Sequence, residues 1–317
     1  MGFFVSALKD RYNTAGRLLK SGAKMPEPLV GHWESDPVSR NVLVMRAEVT
    51  KADGDLKVLL VGDAHWDNPD CDRDLLAQDL QDAVDEDCPI LIGGDFFCAM
   101  QGKYDRRSSK NKLRPEHASG DYLDRLVDTA AEWLKPYSKH IALICRGNHE
   151  TAIEQHHETS LTDRLAASLR RFGSKCVTGG YTGFVRFQIN RKPKYKQSLR
   201  LWYRHGEGGG GAVSQGKINF NRYRVQADFD ACWAQHVHHT EIFDTRIAYL
   251  NEKNYIRHRS QWHIRTPSYK DEFNDGYGGF QVERGQGPRP KGGVWLNIYR
   301  TRGNVERYEF HAERTRQ

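Results

Sequence analysis

The fold is decided by residues 57–65, which read Lys57-Val58-Leu59-Leu60-Val61-Gly62-Asp63-Ala64-His65. Four consecutive apolar residues are typical of a strand buried on both faces, as in a parallel sheet covered by helices. A second stretch repeats the arrangement, with Ile90-Leu91-Ile92 followed by Gly93-Gly94-Asp95. Because ligands collect beyond the carboxyl ends of such strands, we expect site residues along one edge of a parallel sheet.

Helical and strand patterns alternate through the first half of the chain. Apolar spacing predicts helices over 71–84, 119–135 and 160–172, and strands over 89–93 and 140–145. After Gly173 the pattern changes to short strands, predicted over 182–189, 198–204, 231–237, 242–249, 294–300 and 305–310. The predicted fold class is α/β, with a parallel sheet and a second, largely antiparallel sheet.

The domain organisation is simple. Residues 1–40 carry spaced apolar side chains among charges and predict an N-terminal helical arm, and residues 41–317 then form one domain. We expect this domain to begin with a hairpin of strands 42–49 and 57–61. Residues 101–120 form a basic inserted loop, and strands within 257–317 are expected to complete the second sheet.

Composition limits the class of protein. No apolar run approaches the roughly 20 residues that span a bilayer, so we expect a cytoplasmic protein without membrane association. The six cysteines include no C-x-x-C pair, which excludes a zinc ribbon and a thioredoxin-like motif. The net charge of +7, with basic stretches such as 186–204, suits an anionic substrate. The sequence specifies no oligomeric state.

Residues of the kind that bind cations follow five of the predicted strands. In chain order they read Gly62-Asp63-Ala64-His65, Gly93-Gly94-Asp95, Arg146-Gly147-Asn148-His149-Glu150, Tyr203-Arg204-His205-Gly206 and Gln235-His236-Val237-His238. Each motif alone is also consistent with a hydrogen-bonded structural feature. Five strand ends in a row with mixed nitrogen and oxygen ligands predict a metal centre. His236 and His238 are expected to point to one side of a strand.

The series of motifs resembles the signature of the calcineurin-like metallophosphoesterase superfamily, which runs D-x-H, G-D, G-N-H-[ED], H and G-H-x-H in that order. The resemblance covers about residues 57–240 and includes every ligand position. It implies a four-layer α/β/β/α sandwich of two mixed β-sheets flanked by helices, with the metal site at the edge of the sheets.

The resemblance also implies a role for each matching residue. One metal ion would be held by Asp63, His65, Asp95 and His238, and the other by Asp95, Asn148, His205 and His236. Asp95 would bridge the two ions, and His149 would be the catalytic histidine that assists the leaving oxygen. A hydroxide between the ions would attack phosphorus in line. We expect two manganese ions, with iron, zinc or nickel as alternatives for these ligand types.

Two departures from the family pattern bear on the substrate. Gln235 stands where the family usually has glycine, and residues 94–98 read Gly-Asp-Phe-Phe-Cys in place of the G-D-x-V-D-R-G of protein serine/threonine phosphatases. The arginine that grips a phosphomonoester is therefore missing, which favours a phosphodiester. Arg146, Arg204 and Lys103 are candidates for supplying charge to the substrate.

The predicted function is a dinuclear-metal phosphodiesterase that acts on nucleotides or nucleic acid. One alternative is a phosphomonoesterase acting on a small metabolite or nucleotide. The other, from a different class, is a non-catalytic metal-containing module that binds nucleic acid or a protein. The sequence contains every ligand residue of the signature and also the catalytic histidine, His149. This weighs against a non-catalytic module, which does not need a catalytic histidine.

Overall fold

The computed structural model describes residues 33–49, 55–100, 113–191, 195–209, 211, 214–301 and 307–315. The elements in chain order are β1 (Trp33–Ser39), β2 (Val42–Val49), β3 (Leu56–Val61), α1 (Arg73–Asp85), β4 (Ile90–Ile92), α2 (Tyr122–Leu134), β5 (Ile141–Cys145), α3 (Asn148–His157), α4 (Leu161–Arg171), β6 (Val177–Gly179), β7 (Thr182–Arg191), β8 (Tyr195–Arg204), α5 (Lys217–Gln226), β9 (Ala231–Ala234), β10 (Glu241–Leu250), β11 (Ile256–Arg265), α6 (Phe280–Glu283), β12 (Val294–Thr301) and β13 (Arg307–Arg314). Short 3-10 helices lie at Pro115–His117 and Lys135–Tyr137.

The strands form two mixed sheets. The first has six strands in the order β13-β12-β3-β4-β5-β6, and its strands β3 to β6 are parallel. The second has seven strands in the order β1-β2-β7-β8-β9-β11-β10, and β9 runs parallel to both of its neighbours. The predicted class, two mixed β-sheets flanked by helices, is confirmed.

Three apolar cores separate four layers. Along β3, Leu59 and Val61 face the core under α1, α2 and α4, whereas Val58 and Leu60 face the core between the two sheets. A smaller core of six buried residues, which includes Phe220 of α5, lies between that helix and the outer face of the second sheet. Alternate residues of β3 therefore stabilise different cores, which explains the unbroken apolar run from Val58 to Val61.

Strand pairing differs from the sequence prediction in two places. The expected hairpin of β2 and β3 is wrong, because β2 pairs with β1 and β7 in the second sheet while β3 pairs with β4 and β12 in the first. The strands β12 and β13, expected to complete the second sheet, lie in the first sheet beside β3. Each of these strands joins its sheet by pairing with strands distant in the chain. A local sequence pattern does not encode such pairing.

The structure also bears on the expected N-terminal arm, the inserted loop and the strand expected to carry His236 and His238. Residues 33–39, within the expected helical arm, form β1, and residues 1–32 of the arm lie outside the described residues. Of the expected loop 101–120, only residues 113–120 are described. The strand β9 ends at Ala234, so His236 and His238 lie in a loop and not on a strand as expected. In the described part of the chain, no helix is long and apolar enough to cross a membrane.

Candidate metal centre

The candidate centre lies where the carboxyl ends of parallel strands from both sheets meet. The loops after β3 and β4 run side by side, since the N–H of His65 donates to the carbonyl of Asp95 at 3.0 Å. The loops after β8 and β9 approach from the other sheet and carry His205, His236 and His238. The topology thus gathers at one place all five motifs that the sequence singled out.

The turn between β5 and α3 lies against Asp95. A Cβ atom on residue 147 would lie 2.1 Å from Oδ1 of Asp95, so glycine is required at Gly147. The turn places Asn148 and His149 in the first turn of α3, where the N–H of His149 donates to Oδ1 of Asp95 at 3.0 Å. The backbone at the start of α3 therefore orients the carboxylate of Asp95.

The ligand-type side chains form two groups of three. Asp63, His65 and His238 make the first group, and Asp95, His205 and His236 make the second; within each group the potential ligand atoms lie within 4.8 Å of one another. Oδ1 of Asn148 lies 2.9 Å from Nε2 of His205, beside the second group. The structure thus brings together all seven predicted ligand residues. Asp95, which the resemblance assigns to both ions, is grouped here with His205 and His236.

Short distances between side-chain atoms hold each group together. In the first, Nε2 of His65 lies 3.2 Å from Nε2 of His238, which is 3.8 Å from Oδ1 of Asp63. In the second, Nε2 of His205 lies 3.1 Å from Oδ2 of Asp95. The N–H of His236 donates to Oδ2 of Asp63 at 2.9 Å, which links the two groups through the backbone.

Five of the seven residues have strained backbone conformations. The φ angle is +46° at Asp63, +47° at His65, +57° at Asp95, +77° at His236 and +57° at His238. A left-handed conformation at a non-glycine residue is uncommon and costs on the order of 1 kcal/mol or more. The rest of the fold therefore stabilises a local geometry that serves the side chains, which is typical of functional sites.

Charges are concentrated in a region shielded from water. Burial raises the pKa of Asp63 to about 6. Burial also opposes ionisation of Asp95, but His205 and His149 hold the pKa of Asp95 well below its ordinary value. Burial, with His149 as the next cause, lowers the pKa of His65 well below its usual range, and neutral imidazole is the form that binds metal.

His149 is oriented by a backbone carbonyl. Its Nδ1 lies 2.5 Å from the carbonyl oxygen of Cys98, so Nδ1 carries the proton and donates. Its Nε2 lies 3.7 Å from Oδ2 of Asp95. The carbonyl at position 98 therefore orients the ring of His149.

Glu150 joins the loop after β4 to the loop after β5. Its Oε2 accepts the N–H groups of Gly147 at 2.8 Å and Asp95 at 3.0 Å, and its Oε1 accepts the N–H of Phe97 at 2.9 Å. Burial, with Asp95 as the next cause, raises the pKa of Glu150 to about 8. Glu150, the last residue of the motif after β5, is therefore a structural support of the loop that carries Asp95.

Glu272 and Lys270 also belong to the site, although no sequence motif indicated them. Oε2 of Glu272 lies 3.2 Å from Nδ1 of His238, and its Oε1 lies 3.0 Å from the Nζ of Lys270. Both residues follow β11 in a stretch without a recognisable motif. Burial opposes ionisation of Glu272, but the hydrogen bond with His238 lowers the pKa of the carboxyl group.

Gln235 precedes the candidate ligand His236 and lies beside the centre. Its Oε1 accepts the N–H of Gly94 at 2.7 Å and lies 3.4 Å from Nδ1 of His205. The residue is buried, and its side chain fills the space beside Gly62 and Gly93. Its amide therefore connects the loop after β4 to a candidate ligand.

Two candidates for substrate contact are held in ion pairs. Arg146 bonds Glu154 at 2.6 Å and Asp163 at 2.7 Å, and Arg204 bonds Glu207 and lies over the ring of Tyr223. A substrate contact by either arginine requires it to leave these partners. Lys103 lies outside the described residues.

The donor set fits divalent cations. Nε2 atoms of His65 and His238 face each other, and a cation between them would satisfy both lone pairs. The Nδ1 of His65 is buried and has no hydrogen-bond partner among the described residues. Carboxylate oxygens and imidazole nitrogens together suit manganese, iron, zinc or nickel.

Known proteins offer little to compare with. No family model and no curated protein matches the sequence. Among solved structures, the chain is similar to a conserved uncharacterized protein from Streptococcus pneumoniae that is described as a predicted phosphoesterase. The identity is 10%, the match covers 82% of this chain and 100% of that one, and the TM-score is 0.32.

Proposed function

We propose that the protein is a metal-dependent phosphoesterase that hydrolyses phosphodiesters of nucleotides or nucleic acid. One observation carries the proposal: two groups of ligand-type side chains lie side by side, with Nε2 of His149 3.7 Å from Oδ2 of Asp95. Asp63, His65 and His238 would hold one cation; Asp95, Asn148, His205 and His236 would hold the other. When bound, the cations would supply positive charge to a phosphate and an activated water for attack on phosphorus.

The chain itself contributes orientation and a proton. Because the carbonyl of Cys98 fixes the proton of His149 on Nδ1, Nε2 is the ring atom that accepts or delivers a second proton. A histidine held in this way suits protonation of a leaving oxygen. Glu150, Gln235 and Glu272 keep the ligand loops in place, which lowers the cost of reorganisation during the reaction.

The distribution of cationic side chains supports a diester substrate. A phosphomonoester dianion carries one more negative charge than a diester and benefits from an arginine clamp. Arg146 and Arg204 are held by carboxylates, and Lys270 is paired with Glu272. A diester needs less charge from the protein and fits these pairings better.

A projecting ribbon supports nucleic acid as the substrate class. The strands β10 and β11 pair from Glu241↔Arg265 to Leu250↔Ile256, but only residues 262–265 of β11 pair with β9. Beyond that point Tyr249 lies opposite Arg257, whose guanidinium lies 5.8 Å from the ring of Tyr255. Exposed tyrosines beside arginine offer stacking and charge to a single strand.

The first experiment compares bis-p-nitrophenyl phosphate with p-nitrophenyl phosphate, using protein stripped of metal and reloaded with manganese. Faster turnover of the diester, lost in His149→Ala and kept in the exposed His258→Ala, supports the proposal. Faster turnover of the monoester favours the phosphomonoesterase alternative.

A second experiment addresses the non-catalytic alternative. Asp95→Asn is expected to lose bound manganese and activity together, because this carboxylate contacts both His205 and His149. Full activity in purified Asp95→Asn contradicts the mechanism. Stoichiometric metal binding by the wild type without turnover of either ester, of dinucleotides or of oligonucleotides favours the binding module.

A further inference from the structure

A third group of potential ligands overlaps the candidate centre. One ring nitrogen of His65, one ring nitrogen of His149 and the Sγ of Cys98 all lie within 4.8 Å of one another. His65 also belongs to the group with Asp63 and His238, so the two groups share one imidazole. The third group is distinct in chemistry because it contains a thiol and no carboxylate.

All three side chains are shielded from water. Cys98 and His65 are each 2% exposed, and the side chain of His149 is 9% exposed. The Nδ1 of His65 is buried and has no hydrogen-bond partner among the described residues, whereas its Nε2 faces His238. A buried ring nitrogen without a partner is costly unless something occupies the space beside it.

The thiol is positioned by the loop that follows β3. The N–H of Cys98 donates to Oδ1 of Asp67 at 2.5 Å, and Nδ2 of Asn68 donates to the Sγ at 3.3 Å. The carbonyl of Cys98 receives the Nδ1 proton of His149. Residue 98 therefore holds both the thiol and the histidine ring from a single backbone position.

Two nitrogens and one sulfur select a particular kind of cation. Thiolate and imidazole together prefer borderline or soft ions such as zinc, cobalt and cadmium over manganese. Zinc binds nitrogen at about 2.0–2.1 Å and thiolate sulfur at about 2.3 Å. To share one ion, the three ligand atoms, which lie within 4.8 Å of one another, must move closer together.

We propose that His65, Cys98 and His149 form an inhibitory site for a thiophilic divalent cation. Binding releases the thiol proton to solvent and forms bonds from the ion to one sulfur and two ring nitrogens. The ion binds the ring of His149, whose Nε2 is the candidate proton donor of the proposed function, and the inhibitory role rests on that function. Occupation of this site is therefore incompatible with proton transfer by His149.

A spectroscopic test is independent of catalysis. Metal-stripped protein titrated with cobalt(II) is expected to develop the near-ultraviolet charge-transfer band of a thiolate bound to cobalt. Cys98→Ser is expected to lose the band, and Cys88→Ser, whose thiol donates to the carbonyl of Glu86 far from the centre, to keep it. No band in the wild type, or a band that persists in Cys98→Ser, overturns the proposal.

A competition test addresses the inhibitory role. The manganese-loaded protein is titrated with cadmium(II) while hydrolysis of the better ester is followed, and the activity of each variant is expressed relative to its own cadmium-free rate. Cys98→Ser is expected to tolerate at least about tenfold more cadmium than the wild type and than Cys88→Ser. Equal sensitivity of all three proteins overturns the inhibitory role. If no ester is turned over, retention of bound manganese during the titration is measured in its place.

Discussion

The Nδ1 atom of His238 lies 3.2 Å from Oε2 of Glu272, a residue 34 positions later in the chain. Since a carboxylate only accepts, the proton of this imidazole is on Nδ1 and the lone pair of Nε2 is turned toward Asp63. The Nζ of Lys270 lies 3.0 Å from the other oxygen of Glu272 and balances its charge. A contact outside every motif thus fixes the tautomer of a candidate ligand.

Replacing Glu272 by glutamine is expected to weaken metal binding by about 10- to 100-fold. The amide no longer carries the charge that makes His238 a better ligand, and it leaves Lys270 without its counter-ion. Manganese affinity measured by isothermal titration calorimetry checks this, with the exposed Glu283→Gln as the matched control. Unchanged affinity at both sites contradicts the role of Glu272.

Replacing Glu150 by glutamine is expected to lower the free energy of unfolding by roughly 1–3 kcal/mol. Three backbone N–H groups donate to the carboxylate, and an amide turns its own N–H₂ group toward at least one of them. Urea denaturation of the metal-free protein measures the loss. The exposed Glu158→Gln at the end of the same helix is the control. Equal stability of the two variants would contradict the supporting role of Glu150.

Asp79 is expected to make stability depend on pH. Tyr269 at 2.6 Å, Thr315 at 2.9 Å and the N–H of Gly293 at 3.1 Å all donate to its Oδ2, yet burial raises the pKa of Asp79 from 3.8 to about 6. The folded state therefore binds more protons than the unfolded state between these values, and the contribution of Asp79 to stability falls as the pH rises through this window.

The isosteric Asp79→Asn tests this dependence. The free energy of unfolding of the variant, relative to that of the wild type, is expected to rise by roughly 2–3 kcal/mol as the pH increases from about 4 to about 7. The reason is that the amide has no charge to bury. Urea denaturation at both pH values measures the difference, and Asp74→Asn on the exposed face of α1 is the control. A difference from the wild type that is the same at both pH values contradicts the prediction.

Replacing Gln235 by leucine is expected to destabilise the protein by about 1–3 kcal/mol. Leucine keeps the volume but leaves the buried N–H of Gly94 without its acceptor and removes the contact to His205. Thermal unfolding measures the stability, and metal analysis shows whether the second group still binds. A variant as stable as the wild type would mean that Gln235 only fills space.

Much of the first sheet could be predicted from local sequence. The observed helices α1, α2 and α4 and strands β4 and β5 lie within a few residues of the predicted ranges, because each shows a clear apolar period bounded by turn residues. The pairing of β12 with β3 could not be predicted in this way. It joins Val294 to Leu60, residues more than two hundred positions apart, through backbone bonds that leave no local pattern.

The sequence by itself determined the identity of the candidate ligands. Apolar strands followed directly by Asp63, Asp95, Asn148 or His205 indicate a metal centre, because parallel strands must bring their carboxyl ends to one edge. The tertiary structure decided how these ligands are held. The left-handed backbone at His236 and His238, the acceptor role of Glu150 and the tautomer fixed by Glu272 all depend on loops that meet only in the folded chain. Hydrogen bonds and steric contacts between distant loops overcome local backbone preferences at these positions, and only the packed structure supplies them.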